Sequence, residues 1–480
     1  MPASAKLVRD LAAQVGPSHV LTRDADLAAY AFDSYGAAGL RAVPDAVVFP
    51  ASTEEVADVM RVCAHHAVAV VPRGAGTGYS GGAVAGDGVI LNLTRLNRVL
   101  GVEPEAMRIA AQAGVVTATV HRHAAAVHLL YPPDPGSATT ATIGGNIACC
   151  ASGPRAFKYG TTADYLAGAA AVLADGRTVR LGETGGDGTL LLRLLCGSEG
   201  TLAVITEALL RLIAAPAARA TISATFAEVA HAAEAAQRIS AAGVVPSALE
   251  LLDGPALDAV AATPDVDPVA PGTGALVIAE VDGEPAAVAH ETEVVRAAFE
   301  GARAQRIDVA ADPAAASRLW KARKSISAAV ALIMIGKVNE DICVPRHAVA
   351  AAIEAARRAG ERRGLRVVTF GHLADAVVHA TYLVDPRRPG DRERGEAAAR
   401  ELSEAVLELG GTVTGEHGIG LAKLAVAERQ LGDDTLALMR RLKAELDPHG
   451  LLNPGKKLPA APDEVAAEAA AEPAAVAGHH

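Results

Sequence analysis

The stretch GHLADAVVH sets His372 and His379 seven positions apart, with Asp375 between them. Further on, TGEHGIGLAK sets Glu416 and His417 between glycines. Imidazoles and carboxylates are the side chains that bind divalent metals and move protons near neutral pH. Taken alone, the first stretch suits either a pair of metal ligands or two polar residues closing an apolar strand. The second is sharper, because glycines let a backbone approach a ligand closely. A histidine held between them in a tight loop is poorly placed to pack a core, so Glu416-His417 reads as functional.

A third candidate is AVAVVPRGAGTGYSGG, in which Gly76, Gly78 and Gly81 make a literal GxGxxG after a strand. A dinucleotide-binding fold needs that loop to open a helix. Here it runs through more glycines into the strand-like GVILNL, so that reading fails. The physics of the loop survives: consecutive unhindered amides can curl into a nest for an anion. Thr77 and Ser80 add hydroxyl donors, and Pro72 stiffens the entry.

The chain that must position these groups has 480 residues, 51% of them hydrophobic and 21% charged. That is enough for several cores and too apolar for global disorder. A net charge of −11 without a basic stripe argues against a nucleic-acid partner. Cys63, Cys149, Cys150, Cys196 and Cys343 are odd in number and show no CxxC spacing, so a reduced setting without an iron–sulfur or zinc cluster is expected. The N-terminal MPASAKLVRDLAAQVG lacks a signal peptide's apolar stretch. The run ISAAVALIMIG is too short to cross a bilayer. A soluble, cytoplasmic protein with no transmembrane segment is the expectation.

Secondary-structure signals divide the chain. PDAVVFP, AVAVVP and GVILNL read as strands, with STEEVADVMRVCAHH as a helix opened by a Ser/Glu capping box. RIAAQAGV, AGAAAVLADGRTVRL and LAVITEALLRL add short strands, the middle one a hairpin turning at Asp175-Gly176. From about 219, strand–helix–strand units (ATISATF to PSALELL; TGALVIAEVDG with the helix after it) suit an antiparallel sheet covered by helices. Residues 397–456 read as helical, broken by glycines at 410–420. His121, His123 and His128 are read as surface or packing residues on a helix.

Five segments in order now carry a resemblance: PRGAGTGYSGG, DPGS with TIGGN, GSEGTLAVIT, and DPHGLLNPGK at 447–456. The chain resembles the FAD-linked oxidases of the vanillyl-alcohol-oxidase/p-cresol-methylhydroxylase (PCMH) type over residues 20–456. Within these it is similar to the glycolate oxidase large subunit, D-lactate and D-2-hydroxyglutarate dehydrogenase branch. The resemblance implies an α+β fold with a two-subdomain FAD-binding domain at 1–215 and an antiparallel-sheet cap at 216–425. A C-terminal helical segment at 426–458 returns to the FAD domain, and 459–480 forms a disordered tail.

It also implies site residues. Noncovalent FAD would be held by Arg73, Gly74, Ala75, Gly76, Thr77, Gly78 and Ser80 around the pyrophosphate. Asp134, Pro135, Ser137, Thr142, Gly144, Gly145 and Asn146 would line the ring and ribitol. Glu199, Gly200, Thr201 and Ile205 would run past the ribose and adenine, and Asn453 would complete the pocket. Relatives usually carry GHxGDGNxH, in which two histidines join a glutamate around a zinc- or manganese-type ion; the counterparts are His372, His379 and Glu416. Ala374, Ala376 and Val377 depart from that pattern, and either alanine would be strained if its backbone takes positive φ. His417 is the implied proton acceptor.

A 2-hydroxy acid needs a cation for its carboxylate, which Arg323 and Lys337 offer, with Ser327 one helical turn from Arg323. The expected reaction is oxidation of such an acid, of the glycolate, D-lactate or D-2-hydroxyglutarate type, by hydride transfer to flavin. The alternatives are a same-fold enzyme acting on another alcohol and a flavin subunit with weakened catalysis. Electrons would leave to an acceptor of unknown kind, an iron–sulfur or cytochrome subunit on a separate chain being candidates. A homodimer is left open.

Overall fold

The structure, a computed structural model, describes residues 4–35, 43–182, 188–261, 263, 264, 266, 269–334 and 336–459. The tail expected over 459–480 lies outside the described residues except for Pro459. Among the described residues, strands gather into two sheets before residue 212 and one large sheet after 217, with a two-stranded pair, Leu129–Leu130 and Ile213–Ala214, besides.

The first sheet orders its strands as Val20–Leu21, Ala46–Val48, Val89–Asn92 and Val70–Arg73. Its two parallel pairs explain the apolar runs: Ala46–Val48 and Val70–Arg73 both run parallel to Val89–Asn92, and parallel strands are buried on both faces. The crossover between them is the helix Thr53–His65, capped by Ser52, whose hydroxyl accepts from the Glu55 amide. Glu55 does not return to the Ser52 amide as a capping box would; its carboxylate accepts from Ala51 instead.

The second sheet is antiparallel, in the order Val99–Glu103, Arg108–Gln112, Val204–Arg211, Leu166–Val172 and Thr178–Gly182. Leu166–Val172 and Thr178–Gly182 form the expected hairpin, and Gly176 takes φ +80° in its turn. Packed on this second sheet through Ile143 and Ile147, the helix Ile143–Cys149 begins beside the glycine loop. Gly144 is required there, because a β-carbon on it would lie 2.7 Å from that of Ala113.

The third sheet has seven antiparallel strands in the order Arg306–Val309, Ala218–Phe226, Ala275–Gly283, Ala248–Asp253, Val367–His372, Val377–Val384 and Gly336–Cys343. Alternation along each strand sorts its side chains onto two faces. Leu249, Leu251, Val338, Ile342, Val378 and Ala380 point into the main core with helices such as Val229–Ala241 and Val349–Glu361. Helices do not cover that face alone: Leu252, Ile278 and Val368 on the opposite face pack against Gly254–Val260 and Pro313–Ile333. The uncovered part of this second face looks onto the glycine loop.

After the helices Asp391–Glu408 and Leu424–Leu446, residues 451–453 return to the first sheet. The Val70 amide donates to Leu451 O and the Asn453 amide to Val70 O. Among the described residues no helix is long and apolar enough to cross a membrane.

Candidate active site

The seven-residue spacing of the histidines is a hairpin geometry. His372 ends one strand, Leu373–Ala376 turns, and His379 is the third residue of the next. His379 pairs with Phe370, so His372, Phe370 and His379 share one sheet face. Neighbouring strands add acids on the same face: Glu250 lies directly opposite His372, and Asp341 directly opposite His379. Period-two alternation brings Lys337 and Asn339 onto this face with Asp341.

The TGEHGIG loop reaches the histidines because Asp341 holds it. One oxygen of this buried carboxylate, Oδ2, accepts from Thr414 Oγ1 and from the amides of Gly415, Glu416 and His417, at 2.8–3.0 Å. Burial works against that charge, yet His417, Lys423 and His379 hold its pKa well below the usual carboxylate range. The far side of the loop is fixed by Glu199, whose carboxylate accepts from the amides of Ile419 (3.0 Å) and Gly420 (2.7 Å). Gly420, at φ +50°, cannot be replaced cheaply, because a β-carbon would sit 2.1 Å from Ser80 O.

Glu416 Oε1 lies 3.3 Å from His372 Nε2 and 3.4 Å from His379 Nε2. Both are long for hydrogen bonds. Two donors on a tetrahedral ion with bonds of about 2.0–2.1 Å stand roughly 3.3 Å apart. The donor atoms of these three residues all lie within 4.8 Å of one another. Each imidazole also turns its other nitrogen toward a carboxylate, as metal-binding histidines do: His372 Nδ1 is 2.6 Å from Glu250, and His379 Nδ1 is 3.7 Å from Asp341 Oδ1. Those last two atoms have no hydrogen-bond partner in the structure. Ser152 Oγ donates to the second oxygen of Glu416. The cluster therefore fits a zinc- or manganese-type ion. Without one, burial opposes charge on His372, but Glu250 and Glu416 raise its pKa well above the ordinary value.

His417 stacks on His379, with ring centroids 5.0 Å apart, and on Tyr79 at 4.9 Å. Burial lowers its pKa. Lys337 Nζ lies 5.3 Å from the centre of the Tyr79 ring. Burial lowers its pKa too, and among the described residues no carboxylate stands within ion-pair distance of it. Arg323 is differently placed. It reaches the same region from the helix Pro313–Ile333 and lies over Phe370, but its Nε is bonded to Glu250. Its charge is thus already met by a carboxylate, while that of Lys337 is not.

Glu250, Asp341 and Tyr79 are the residues that the sequence reading omitted. A signal existed for the first two, since each is an acid inside an apolar strand, in ALELLD and VNEDIC. A buried charge in such a place is costly without a partner.

His372, His379, Glu416, His417, Lys337 and Tyr79 line one end of a cavity of about 1460 Å³, with Glu250 and Asp341 behind its wall. Its other walls are the glycine loop from Arg73 to Ser80, Asp134 to Ser137, the helix start Thr142–Asn146, and Glu199, Gly200 and Ile205. A β-carbon built on Gly78 or Gly136 would meet nothing within 4 Å, because both α-carbons open onto the cavity. One on Gly74 would strike Thr142 Oγ1 at 2.2 Å, so loop and helix can approach only through glycine. This amide-rich cradle fits the diphosphate and ring of FAD.

Thr201 and Asn453 lie outside the cavity wall. Thr201 Oγ1 donates to Ser198 O, and Asn453 Nδ2 donates to Gly82 O and Glu199 O. Asn453 thereby ties the glycine loop to the 199–200 loop from behind. Glu199 lines the cavity, though its carboxylate faces the 419–420 amides. His121 Nε2 donates to Pro133 O, as a packing residue, while His128 lies beyond the helix Thr117–Ala125 and borders the cavity.

Of the two alanines in GHLADAVVH, Ala376 alone has positive φ, at +59°. It carries a left-handed penalty of about 1 kcal/mol and Ala374 does not. The hairpin nevertheless closes, with the Val344 amide donating to Ala376 O.

Residues 44–182 match the family model of the FAD binding domain, and 215–457 match that of the C-terminal domain of FAD linked oxidases. The protein is therefore an FAD-dependent oxidoreductase with a PCMH-type fold. The chain belongs to the FAD-linked oxidase family of the glycolate oxidase subunits and D-lactate dehydrogenases. It is 35% identical to the glycolate oxidase subunit GlcD of Bacillus subtilis over 92% of this chain and 94% of that one. To the D-lactate dehydrogenase of Anaerostipes hadrus it is 32% identical, over 92% and 95%. Among solved structures, 4-ethylphenol oxidase from Gulosibacter chungangensis superposes with a TM-score of 0.77 at 20% identity, covering 95% of this chain and 97% of that one.

Proposed function

We propose that the protein oxidises a D-2-hydroxy acid, of the glycolate, D-lactate or D-2-hydroxyglutarate type, to the 2-oxo acid. The observation that carries this reading is the pairing, in one cavity, of an unneutralised lysine with the imidazole–carboxylate cluster. Bound FAD supplies the hydride acceptor. Lys337 binds the substrate carboxylate, with Ser327 beside it. Arg323, paired with Glu250, shapes this end of the cavity and can share the carboxylate only by loosening that pair. His417 accepts the proton of the substrate hydroxyl, leaving the α-hydrogen free to depart as hydride. An ion of the zinc or manganese type at His372, His379 and Glu416 would act as a Lewis acid on the same hydroxyl.

The proposed division is an FAD-binding unit over 1–215, a cap over 216–425 that brings the cluster, and a segment over 426–458 that braces the cofactor loops. No cysteine cluster occurs in the sequence, so an iron–sulfur relay would sit on another chain.

The test is anaerobic titration of the purified flavoprotein with glycolate, D-lactate and D-2-hydroxyglutarate, alongside elemental analysis for metal. Bleaching of the flavin by at least one acid is expected. A flavin that stays oxidised with all three, but bleaches with a phenol or a sugar lactone, would refute the substrate class.

A further inference from the structure

Within Gly74–Gly82, the loop facing the cofactor cradle, every residue but one is threonine-sized or smaller. The exception is Tyr79. Its ring lies nearly parallel to His417, at 26° with centroids 4.9 Å apart. His417 in turn lies parallel to His379, at 13° and 5.0 Å. Two rings could not both stack at that distance on one face of an imidazole, so His417 is sandwiched between Tyr79 and His379. The same tyrosine ring has the Lys337 ammonium 5.3 Å from its centre, inside the range of cation–π attraction. Ser327 is the polar neighbour of its hydroxyl.

We propose that Tyr79 is the positioning residue of this site, one flat ring that sets both His417 and Lys337 relative to the substrate. The inference rests on the reading that His417 takes the hydroxyl proton and Lys337 binds the carboxylate. An aromatic face suits the task. It restrains an imidazole without competing for its nitrogens, and it restrains an ammonium without neutralising it, as a carboxylate would. An aliphatic side chain of similar volume would fill the space and do neither. The hydroxyl is secondary, since stacking and cation–π attraction both belong to the ring.

The experiment is anaerobic stopped-flow reduction of the FAD holoprotein by the hydroxy acid that the wild type oxidises fastest, comparing Tyr79→Phe with Tyr79→Leu. Tyr79→Phe is expected to keep both the limiting rate and the half-saturating concentration. Tyr79→Leu is expected to lose about 10²-fold in limiting rate through misplacement of His417. Its half-saturating concentration should rise about 10-fold as Lys337 loses its restraint. Equal FAD content and equal reduction by dithionite show that the cradle is intact. If Tyr79→Leu cannot be prepared with FAD, Tyr79→Met against Tyr79→Trp makes the same comparison of flat and non-flat side chains. Aliphatic variants that match the aromatic ones in both parameters overturn the role of Tyr79 while leaving the hydroxy-acid reading intact. A wild-type flavin that no hydroxy acid reduces overturns that reading, and this inference with it.

Discussion

Replacing Glu250 by glutamine removes one charge and almost no volume. The residue is fully buried, with one oxygen on His372 Nδ1 and the other on Arg323 Nε. Burial disfavours its charge, but His372 and Arg323 keep its pKa below the usual range. A glutamine can present its carbonyl to only one of these donors and turns an NH₂ group toward the other. Breaking a buried ion pair from one side costs about 3–5 kcal/mol, because the partner's charge is left uncompensated. The lower end applies here, since one hydrogen bond survives and the Arg323 side chain keeps 14% exposure. A loss of about 3 kcal/mol corresponds to roughly 6–12 °C in Tm for a unit of this size. Denaturant unfolding of wild type, E250Q, R323M and the double variant separates pair from background. The double variant should be more stable than the sum of the two single losses by about 1 kcal/mol or more. Metal content at limiting ion should fall about 10–100-fold in affinity, as when an outer partner of a ligating histidine is lost. An E250Q protein within about 0.5 kcal/mol of wild type, with additive losses in the cycle, would refute the buried pair as the support of His372.

Three further outcomes are expected. Ala376→Gly should raise stability by up to about 1 kcal/mol by relieving the positive φ, whereas Ala374→Gly should lower it by about 0.5–1 kcal/mol; chemical denaturation reads both signs. Burial raises the pKa of Asp253 to about 6, against the hydrogen bonds from Thr369 and Ala256. Its contribution is therefore fully present below the unfolded value near 3.8 and is lost as pH rises through 6. Asp253→Asn should remove that part of the decline, so the stability difference, variant minus wild type, grows between pH 4 and 7. Finally, a hydrogen bond from Cys196 lowers the thiol pKa of Cys150 to about 6, while burial pushes Cys63 and Cys149 up to about 12. Iodoacetamide followed by peptide mass spectrometry should label Cys150 first at pH 7, with half-maximal rate near pH 6.

The glycine loops were legible in sequence because their work is local. Positive φ and close approach are demands on single residues, and only glycine meets them at Gly74, Gly144 and Gly420. The histidine pair was legible only through the resemblance: the nine residues alone suited ligands or strand-closing side chains equally, and the hairpin with a four-residue turn that sets residues 372 and 379 on one face is a finding of the structure. Glu250 and Asp341 were not legible as partners. They reach the histidines through strand order, and the pairing of 248–253 with 367–372 and of 336–343 with 377–384 leaves no trace in local periodicity. Arg323 shows the other side of the same difficulty. Its type suits a carboxylate clamp, and its actual carboxylate is Glu250, 73 residues earlier in the chain. Thr201 and Asn453 sit in the motifs that surround the cofactor, yet their side chains brace the loops from outside the cavity, a distinction that motif position does not carry.

The tether at Asn453 bears on how the protein is made. The glycine loop is synthesised early, but one of its braces, and the one that joins it to Glu199, comes from a residue near position 453. Domains generally begin to fold in order of synthesis. Here the first sheet keeps an open edge at Val70 until residues 451–453 emerge to occupy it. A chain that stopped before residue 451 would leave that edge unpaired and the tie between Gly82 and Glu199 unmade, and is expected to hold flavin poorly.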